Sequence, residues 1–523
     1  MSRSIATCIL VLLLQACSKA PEAPVPVIQT ASATIAWVKP EGANIAPIFA
    51  QAKAANKPVF LYWGAVWCPP CNQIKATVFN RQDFIARSKL FVPVYLDGDT
   101  PGAQKLGAQF KVRGYPTMIL FRPDGTELTR LPGEVDAASY MEVLNLGLTS
   151  GSSVKESLAL ALGSGGAALT PDTWRQLAFY SWDQDEAQLV APKELAATLQ
   201  KLSQACPATQ RATASRLALK AMVAFAQDKE PLPNATAALT RVTEILGDGP
   251  QARENFDVLV NYSAEMVPVL SKAGSAQRST LLMAWNAALD KLAADASLSK
   301  GDRLAAVLAK LALAKLDLPK GAVPKLQAAL LAQVREAAAI ADKTTSDTYE
   351  RQAVIPSAAD LLSEAGLLDE SDALLKAELP KAVSPYYHML VLAGNARERG
   401  DKTASLDWTE RAWSASVGPA TRLQWGTGYV NRLIELTPQD AARIENAASG
   451  VLAELEPTPE TFYERNQRGL KKMGTRLRAW NSNGQHGVAL KKLTAQLDAV
   501  CAKLPPQDEA RTACAGVFKA ANS

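Results

Sequence analysis

The chain has 523 residues, of which 48% are hydrophobic and 20% are charged. An apolar content this high excludes disorder as the dominant state, and the length leaves room for about three domains. With 56 basic and 51 acidic residues, the net charge is +5, which excludes the strongly basic surface typical of nucleic-acid binding. Two histidines and seven cysteines favour cysteine chemistry over histidine-rich metal sites.

The N-terminus has the pattern of a targeting segment. A basic residue precedes an apolar stretch over residues 5–14, which is too short to span a bilayer. Residues 14–17 (Leu-Gln-Ala-Cys) resemble a bacterial lipobox. This resemblance implies cleavage before Cys17 and lipidation of Cys17, and Ser18 in the next position favours the outer membrane. The alternative is an ordinary secretory signal that is cut near Ala20.

A stretch rich in proline and alanine follows Cys17 and extends to about residue 34. Its composition predicts an extended tether. Past Cys17 the sequence has no uncharged run of 18 or more apolar residues, so a second membrane span is not expected. We therefore expect a lipid-anchored protein of the bacterial cell envelope that faces the periplasm, an oxidising compartment in which disulfides form.

Helix and strand patterns alternate between residues 35 and 149. In chain order they predict a helix, a strand, a second helix, a second strand, a third helix, a β-hairpin and a last helix. The predicted ranges are 47–55, 59–63, 72–78, 90–96, 103–110, the hairpin 116–121 with 127–131, and a helix capped by Asp136 that ends at Leu146. This order predicts an α/β fold with three layers.

Two cysteines, Cys68 and Cys71, lie at the start of the second predicted helix. At this spacing they form a small disulfide ring, and the free N–H groups of the helix start stabilise the thiolate of Cys68. A lowered pKa makes Cys68 a nucleophile, and Cys71 attacks the mixed disulfide that results. The alternative is half of a structural zinc site, which needs four ligands. No second Cys-x-x-Cys and no histidine pair is present, so we expect no metal and no cofactor.

Residues 67–71 (Trp-Cys-Pro-Pro-Cys), the loop 114–117 (Gly-Tyr-Pro-Thr) and the strand order around them resemble thioredoxin. The segment is most similar to the soluble domain of the transmembrane thiol:disulfide interchange proteins. Those proteins share the Lys-Pro-Val start of the strand at 57–59, the Gly-Ala pair at 64–65 and an upstream tryptophan, here Trp37. The resemblance covers about a fifth to a quarter of the chain.

The resemblance implies a thiol–disulfide oxidoreductase in which Cys68 and Cys71 are catalytic. It implies a cis Tyr115–Pro116 bond that faces the active sulfurs, the alternative being a trans turn proline. It also implies that substrate adds as a strand to the backbone of Tyr115. The residues expected to bind substrate are Trp67, Tyr115, Pro116 and Thr117.

One residue departs from the pattern of the family. Six residues before the first cysteine the family usually has a buried Asp that assists proton transfer to the second cysteine, and here that residue is Tyr62. A phenol with a pKa near 10 is a poor base at neutral pH. Water or another group then takes this role, or resolution is slow.

The remainder of the chain predicts helices. Residues 150–170 are expected to form a linker. From residue 171 to 523 strand patterns vanish, and apolar residues recur at helical spacing. Residues 304–311, for example, predict a helix with one apolar face. Segments 365–371 and 399–405 are offset by 34 residues and resemble a tetratricopeptide repeat. The alternative is an irregular helical array. Both interpretations give stacked helix pairs with a large binding surface.

Three cysteines remain in the helical region. Cys501 and Cys514 flank a turn that contains Pro505 and Pro506, so we expect a structural disulfide between them. The alternatives pair Cys206 with either one. Left unpaired, Cys206 is a buried and inert thiol, or else a redox partner of the dithiol.

The sequence therefore divides into a lipoprotein signal peptide (1–16), a lipid-anchored tether (17–34), a thioredoxin-like domain (35–149), a linker (150–170) and a helical region (171–523). The function predicted first is a membrane-anchored thiol–disulfide oxidoreductase whose partners are protein thiols and disulfides and a membrane redox protein that recharges the pair. The alternative function is a non-catalytic envelope scaffold that binds a partner through its helices.

Overall fold

The computed structural model describes residues 34–112, 114–185, 188–318 and 325–519. The predicted signal peptide, Cys17 and nearly all of the tether lie outside the described residues. From Ile35 onward the described residues belong to one compact unit. None of the described helices is both long enough and apolar enough to cross a membrane.

The first part of this unit is built on a sheet of four strands with the order β2-β1-β3-β4. Strand β1 pairs in parallel with β2 and antiparallel with β3, and β3 and β4 form the predicted hairpin. The strands are β1 (Val59–Gly64), β2 (Val92–Asp97), β3 (Thr117–Phe121) and β4 (Glu127–Leu131).

Helices cover both faces of the sheet, which confirms the prediction of an α/β fold. The helices of this part are α1 (Ala46–Ala55), α2 (Pro69–Ile74), α3 (Gln82–Arg87), α4 (Pro101–Gln109) and α5 (Ala137–Thr149). One core joins α1 and α4 to alternate residues of β1, among them Leu61 and Trp63. The opposite core joins α2 and α5 to Phe60 and Tyr62 of the same strand. The sheet is therefore the middle of three layers.

Several predicted boundaries in this part are wrong, and those of α2 and β2 have a local cause. Helix α2 begins at Pro69, because both prolines occupy first-turn positions where a missing N–H costs nothing. A π-helical turn (Lys75–Phe79) extends it. Strand β2 begins at Val92, because Leu90 is exposed in a 3-10 turn that ends the unpredicted helix α3.

The predicted linker, 150–170, is also wrong, since it contains helix α6 (Val154–Leu162). Ser153 and Glu156 form a capping box that fixes the start of this helix. Val154, Leu158 and Ala161 recur at helical spacing and are buried in the core beside the sheet. This segment is a packed part of the fold rather than a flexible connection.

The rest of the described chain consists of helices, which confirms the predicted helical region. The helices are α7 (Pro171–Phe179), α8 (Pro192–Ala205), α9 (Arg211–Gln227), α10 (Ala235–Gly247), α11 (Gly249–Glu254), α12 (Phe256–Asn261), α13 (Ser263–Leu270), α14 (Ala276–Ala294), α15 (Lys300–Lys315), α16 (Ala328–Thr344), α17 (Thr348–Glu364), α18 (Leu368–Glu378), α19 (Pro385–Glu398), α20 (Lys402–Ala415), α21 (Pro419–Leu436), α22 (Ala441–Ala453), α23 (Glu464–Trp480), α24 (Gly487–Cys501) and α25 (Glu509–Ala515).

The two segments offset by 34 residues share one turn geometry. Gly366 separates α17 from α18 with φ of 79°, and Gly400 separates α19 from α20 with φ of 78°. Glycine adopts this left-handed conformation without steric strain. Two successive helix pairs therefore turn in the same way at the predicted spacing, while the tetratricopeptide-like assignment stays a prediction.

The α/β part and the helices share one hydrophobic core. That core runs from Phe60 and Tyr62 of the sheet through the dithiol to Trp174 of α7 and Trp425 of α21. Polar contacts add to it, such as the 2.8 Å ion pair between Arg253 of α11 and Asp136, the N-cap of α5. The helices are thus packed onto the α/β part, and this packing decides what surrounds the dithiol.

Candidate functional site

The two cysteines at the start of α2 are joined as a disulfide, with Cα atoms 5.2 Å apart. Cys68 is the N-cap of α2, and its Sγ accepts a hydrogen bond from the backbone N–H of Cys71 at 3.2 Å. The first sulfur therefore lies at a helix start, where the N–H of Cys71 points to it, while Pro69 and Pro70 have no N–H to offer. An N–H group in this position stabilises a thiolate when the pair is reduced.

Asn72 holds the turn that precedes the helix. Its buried side-chain amide donates to the carbonyl oxygen of Val66 at 2.7 Å and to that of Cys68 at 3.1 Å. The side chain thereby fixes the backbone on both sides of Trp67. Sequence reasoning missed this residue, although an amide directly after the second cysteine was a readable signal for such a clamp.

The Tyr115–Pro116 bond is cis. The Tyr115 hydroxyl donates to the carbonyl oxygen of Gly98 and accepts from the side-chain amide of Gln104, both at 3.1 Å. A Cβ at position 98 would overlap the Tyr115 ring, so glycine is needed there. The Tyr115 ring meets the edge of Trp67 with centroids 5.7 Å apart, which brings two of the predicted substrate residues together.

Pro116 and Thr117 are both buried. The Thr117 hydroxyl donates to the carbonyl oxygen of Gly114 at 2.8 Å and contacts the side-chain oxygen of Gln184 at 3.2 Å. These contacts hold the loop in shape. The hydroxyl of Thr117 therefore supports the cis turn rather than being offered to a ligand.

Tyr62 occupies the position where the family usually has an acid. Its ring stacks on Tyr95, the neighbouring residue on β2, with centroids 5.3 Å apart. Among the residues that the structure describes, its buried hydroxyl has no hydrogen-bond partner. Burial raises the pKa of Tyr62 well above 10, and the nearby Tyr95, Tyr140 and Asp97 raise it further. Tyr62 therefore cannot accept a proton at neutral pH.

Trp67 is enclosed by side chains of the helical region. Its indole Nε1 donates to Thr421 Oγ1 at 2.8 Å. Its ring stacks on Tyr387, with centroids 6.1 Å apart and planes 19° apart, and meets the edge of Trp425 at 5.0 Å. The residue predicted to contact substrate thus contacts α19 and α21 instead.

Arg465, near the start of α23, lies against both aromatic residues of the site. Its guanidinium carbon is 4.9 Å from the centroid of Trp67 and 4.4 Å from that of Tyr115, which is cation–π distance. Its backbone N–H donates to the side-chain oxygen of Gln104 at 3.1 Å. Gln104 also bonds Tyr115, so the start of α23 is tied to the loop that carries the cis proline.

Asp99 joins the α/β part to the start of α21. Its side chain accepts from Trp67 Nε1 at 3.4 Å and from the Thr421 hydroxyl, and its backbone oxygen accepts from Ala420 at 3.4 Å. Burial and the neighbouring Asp97 raise the pKa of Asp99 to about 7. A carboxyl of the α/β part therefore meets the N-terminus of α21 and is easily protonated there near neutral pH.

Two further contacts place helices over α2. Gln73 donates to Asp302 Oδ1 at 2.7 Å and to Ser299 Oγ at 3.2 Å, at the start of α15. Gln352 of α17 donates to the backbone oxygen of Trp67 at 3.5 Å. As a result Cys68 is 3% exposed, Cys71 is 0% exposed and Trp67 is 6% exposed. The dithiol is closed off from solvent.

The remaining cysteines are placed in the helical region. Cys501 and Cys514 form a disulfide with Cα atoms 5.7 Å apart, at the end of α24 and within α25. Cys206 is buried and unpaired, so neither alternative pairing with it is present. Burial raises the pKa of the Cys206 thiol to about 11, which makes it a poor nucleophile at neutral pH.

Replacing Cys501 and Cys514 together by Ala is expected to lower the free energy of unfolding by about 3 kcal/mol. The cysteines are 13 residues apart, and releasing a loop of this size returns that much entropy to the unfolded chain. Urea unfolding without reductant measures the loss. Cys206→Ala is the control, since it removes a buried thiol without opening a loop. Equal losses in the two variants would show that the bond itself adds nothing.

Comparisons with known proteins agree on the first part of the chain. The family described as a thioredoxin-like domain matches residues 46–147. The chain is 32% identical over 111 residues to thiol:disulfide interchange protein DsbD 1 of Pseudomonas aeruginosa, covering 20% of this chain and 19% of that protein. It is 34% identical over 100 residues to the bifunctional thioredoxin reductase/thioredoxin of Mycobacterium leprae, covering 19% of this chain and 21% of that protein.

A solved structure titled DsbH Oxidoreductase matches at 20% identity with a TM-score of 0.20, covering 25% of this chain and 93% of that chain. The chain spans about a fifth of the length of the curated relatives it matches. Each match is confined to a minor share of the chain.

Proposed function

We infer, from the thioredoxin-like domain that residues 46–147 form, that this protein is a thiol–disulfide oxidoreductase acting on protein substrates through Cys68 and Cys71. The observation that carries this proposal is the disulfide between two cysteines at a helix start, in a domain that also holds a cis Tyr115–Pro116 bond. The similarity to thiol:disulfide interchange proteins supports the same chemistry.

The exchange proceeds in two displacements. The Cys68 thiolate attacks one sulfur of a substrate disulfide, which forms a mixed disulfide and releases the first substrate thiolate. Cys71 then loses its proton and attacks Cys68 Sγ, which releases the second substrate thiolate and closes the Cys68–Cys71 disulfide. The substrate gains two electrons and two protons, and the dithiol loses them. Run backwards, the same steps oxidise a substrate dithiol.

Residues around the sulfurs assist different parts of this exchange. The backbone N–H of Cys71, which donates to Cys68 Sγ, stabilises the Cys68 thiolate. Asn72 holds the backbone on both sides of Trp67. Because the pKa of Tyr62 lies well above 10, the proton of Cys71 passes to another acceptor, and the departing substrate thiolate is a base that can receive it.

We place this activity in the cell envelope. The Leu-Gln-Ala-Cys sequence at 14–17 supports a periplasm-facing lipoprotein anchored through Cys17 in the outer membrane. The disulfide between Cys501 and Cys514 fits an oxidising compartment. The partners are then protein thiols and disulfides, with a membrane redox protein that recharges the dithiol.

A Cys71→Ser chain expressed in cells is expected to accumulate mixed disulfides on Cys68, because the resolving thiol is absent. Non-reducing electrophoresis after acid quenching reveals them as reductant-sensitive bands. A Cys68→Ser chain is the control and should give none, while Cys206→Ser should not alter the pattern. Finding no Cys68-dependent adduct would contradict the proposal.

The burial of the dithiol favours one alternative, an envelope scaffold that binds a partner through its helices. Dithiothreitol reduces insulin slowly on its own, and a scaffold would not accelerate this reduction, even with Cys68 and Cys71 in the dithiol form. It would also retain a stable partner in pull-downs. The catalytic proposal requires that the chain accelerate insulin reduction once the dithiol is accessible.

A further inference from the structure

We propose that the helical region is an autoinhibitory cover, which keeps the dithiol from protein substrates until it moves aside. The cover consists of four side chains: Tyr387, Thr421, Trp425 and Arg465. This inference rests on the proposed function and adds a regulated step to it. Disulfide exchange with a protein then requires local withdrawal of α21 and α23, together with the parts of α17 and α19 that contact Trp67.

Access to the sulfur is the first reason. Exchange requires the two sulfurs to approach to the length of a forming bond, about 2 Å in the product. Cys68 is 3% exposed and Cys71 is fully buried. A disulfide carried by a folded or extended polypeptide cannot reach either sulfur while the helices stay packed over α2 and Trp67.

The second reason is that the cover already occupies the side chains expected to hold substrate. The indole N–H of Trp67 donates to Thr421, and the Trp67 ring packs against Tyr387 and Trp425. The Tyr115 ring lies against the guanidinium of Arg465 in a cation–π contact. A substrate that used these surfaces would have to displace the cover, so cover and substrate compete for one site.

The third reason is that the hydrogen bonds between the cover and the α/β part lie at two helix starts. Thr421 and Ala420 bond Asp99 at the start of α21, and Arg465 bonds Gln104 at the start of α23. These contacts are at helix ends, and helix ends open more readily than helix interiors. Opening the starts of α21 and α23 therefore removes the bond from Trp67 to Thr421 and the cation over both rings, and leaves the contacts of Trp67 with Gln352, Tyr387 and Trp425 to be broken.

The test compares full-length wild type with Arg465→Ala and Thr421→Val, after reduction of the dithiol. Arg465→Ala removes the cation over both rings, and Thr421→Val keeps the volume but removes the bonds to Trp67 and Asp99. Arg476→Ala is the matched control, because Arg476 is an exposed arginine on the same helix. The readouts are the rate of Cys68 modification by a maleimide carrying a 5-kDa polymer, with the site identified by mass spectrometry, and the reduction of insulin by dithiothreitol.

We expect both cover variants to raise the rate of modification and the rate of insulin reduction at least tenfold over wild type and Arg476→Ala. With iodoacetamide, a small reagent, the rate of Cys68 modification should differ less between the cover variants and wild type. If the polymer reagent modifies wild type as fast as both cover variants, the cover is refuted while the oxidoreductase stands. If the polymer reagent modifies the cover variants faster than wild type but no chain accelerates the reduction of insulin by dithiothreitol, the cover stands and the proposed function is refuted. If Arg465→Ala does not unfold cooperatively, Thr421→Val alone decides the result.

Discussion

Replacing Trp67 by Ala is expected to lower the free energy of unfolding by about 3–5 kcal/mol, the usual cost of emptying a large buried aromatic site. The ring contacts Tyr115 from the α/β part and Tyr387 and Trp425 from the helices. A single side chain therefore joins the two parts of the fold, and its loss leaves a cavity at their boundary. Urea unfolding followed by circular dichroism measures the effect.

Two comparisons make this prediction specific. Trp67→Phe keeps most of the ring contacts but loses the bond to Thr421, so a loss of about 1 kcal/mol is expected. Trp408→Ala removes a half-buried tryptophan of α20 and should cost less than Trp67→Ala. A loss for Trp67→Ala no larger than that for Trp408→Ala would show that the site is not the joint between the two parts.

Replacing Asp257 by Ala is expected to lower the free energy of unfolding by about 3–5 kcal/mol, because it leaves a buried arginine without its partner. Arg216 and Asp257 are 1% and 2% exposed, and the guanidinium donates to both carboxylate oxygens at 2.9 and 2.8 Å. Arg216 also lies 3.8 Å from the centroid of the Phe179 ring. Urea unfolding at pH 7 measures the loss.

The same pair predicts a dependence on pH. Burial alone would raise the pKa of Asp257, but the charges of Arg216 and Lys220 outweigh it and lower that pKa. A carboxyl whose folded pKa is depressed stabilises the fold above its unfolded pKa of about 4, and this stability is lost as pH falls through the folded pKa. The difference between wild type and Asp257→Ala should therefore shrink at acid pH.

Asp407→Ala is the control for Asp257→Ala, since it breaks an exposed pair with Arg411 at 3.8 Å. A change of about 0.5 kcal/mol or less is expected there. Replacing Arg216 and Asp257 together by Met and Leu should recover much of the loss, because both charges of the buried pair are then removed. A single variant as stable as the Asp407 control would contradict the prediction.

Much of the α/β part could be predicted because its signals are local. The five apolar residues 59–63 predicted the buried strand β1, and the Pro-Asp-Gly sequence at 123–125 predicted the hairpin turn. The capping box of Ser153 and Glu156 was equally local. The glycine and serine residues of 150–170 nevertheless predict a linker.

The surroundings of the dithiol could not be predicted in the same way. Thr421, Trp425 and Arg465 carry no motif, and each belongs to an ordinary amphipathic helix. Their role arises only from packing across hundreds of residues of chain. Sequence therefore predicted the fold around the cysteine pair and the disulfide-forming spacing of Cys68 and Cys71, but not that Trp67 is enclosed.

The distance along the chain between Trp67 and Thr421, 354 residues, has a consequence for biogenesis. At about 5–20 residues per second, a ribosome needs some tens of seconds to make the intervening chain. If the chain emerges in the envelope from its N-terminal end, a domain that folds as a unit presents Cys68 and Cys71 until α21 and α23 have followed. The redox state of the pair can be set during this interval, and the last helices then enclose it in the finished protein.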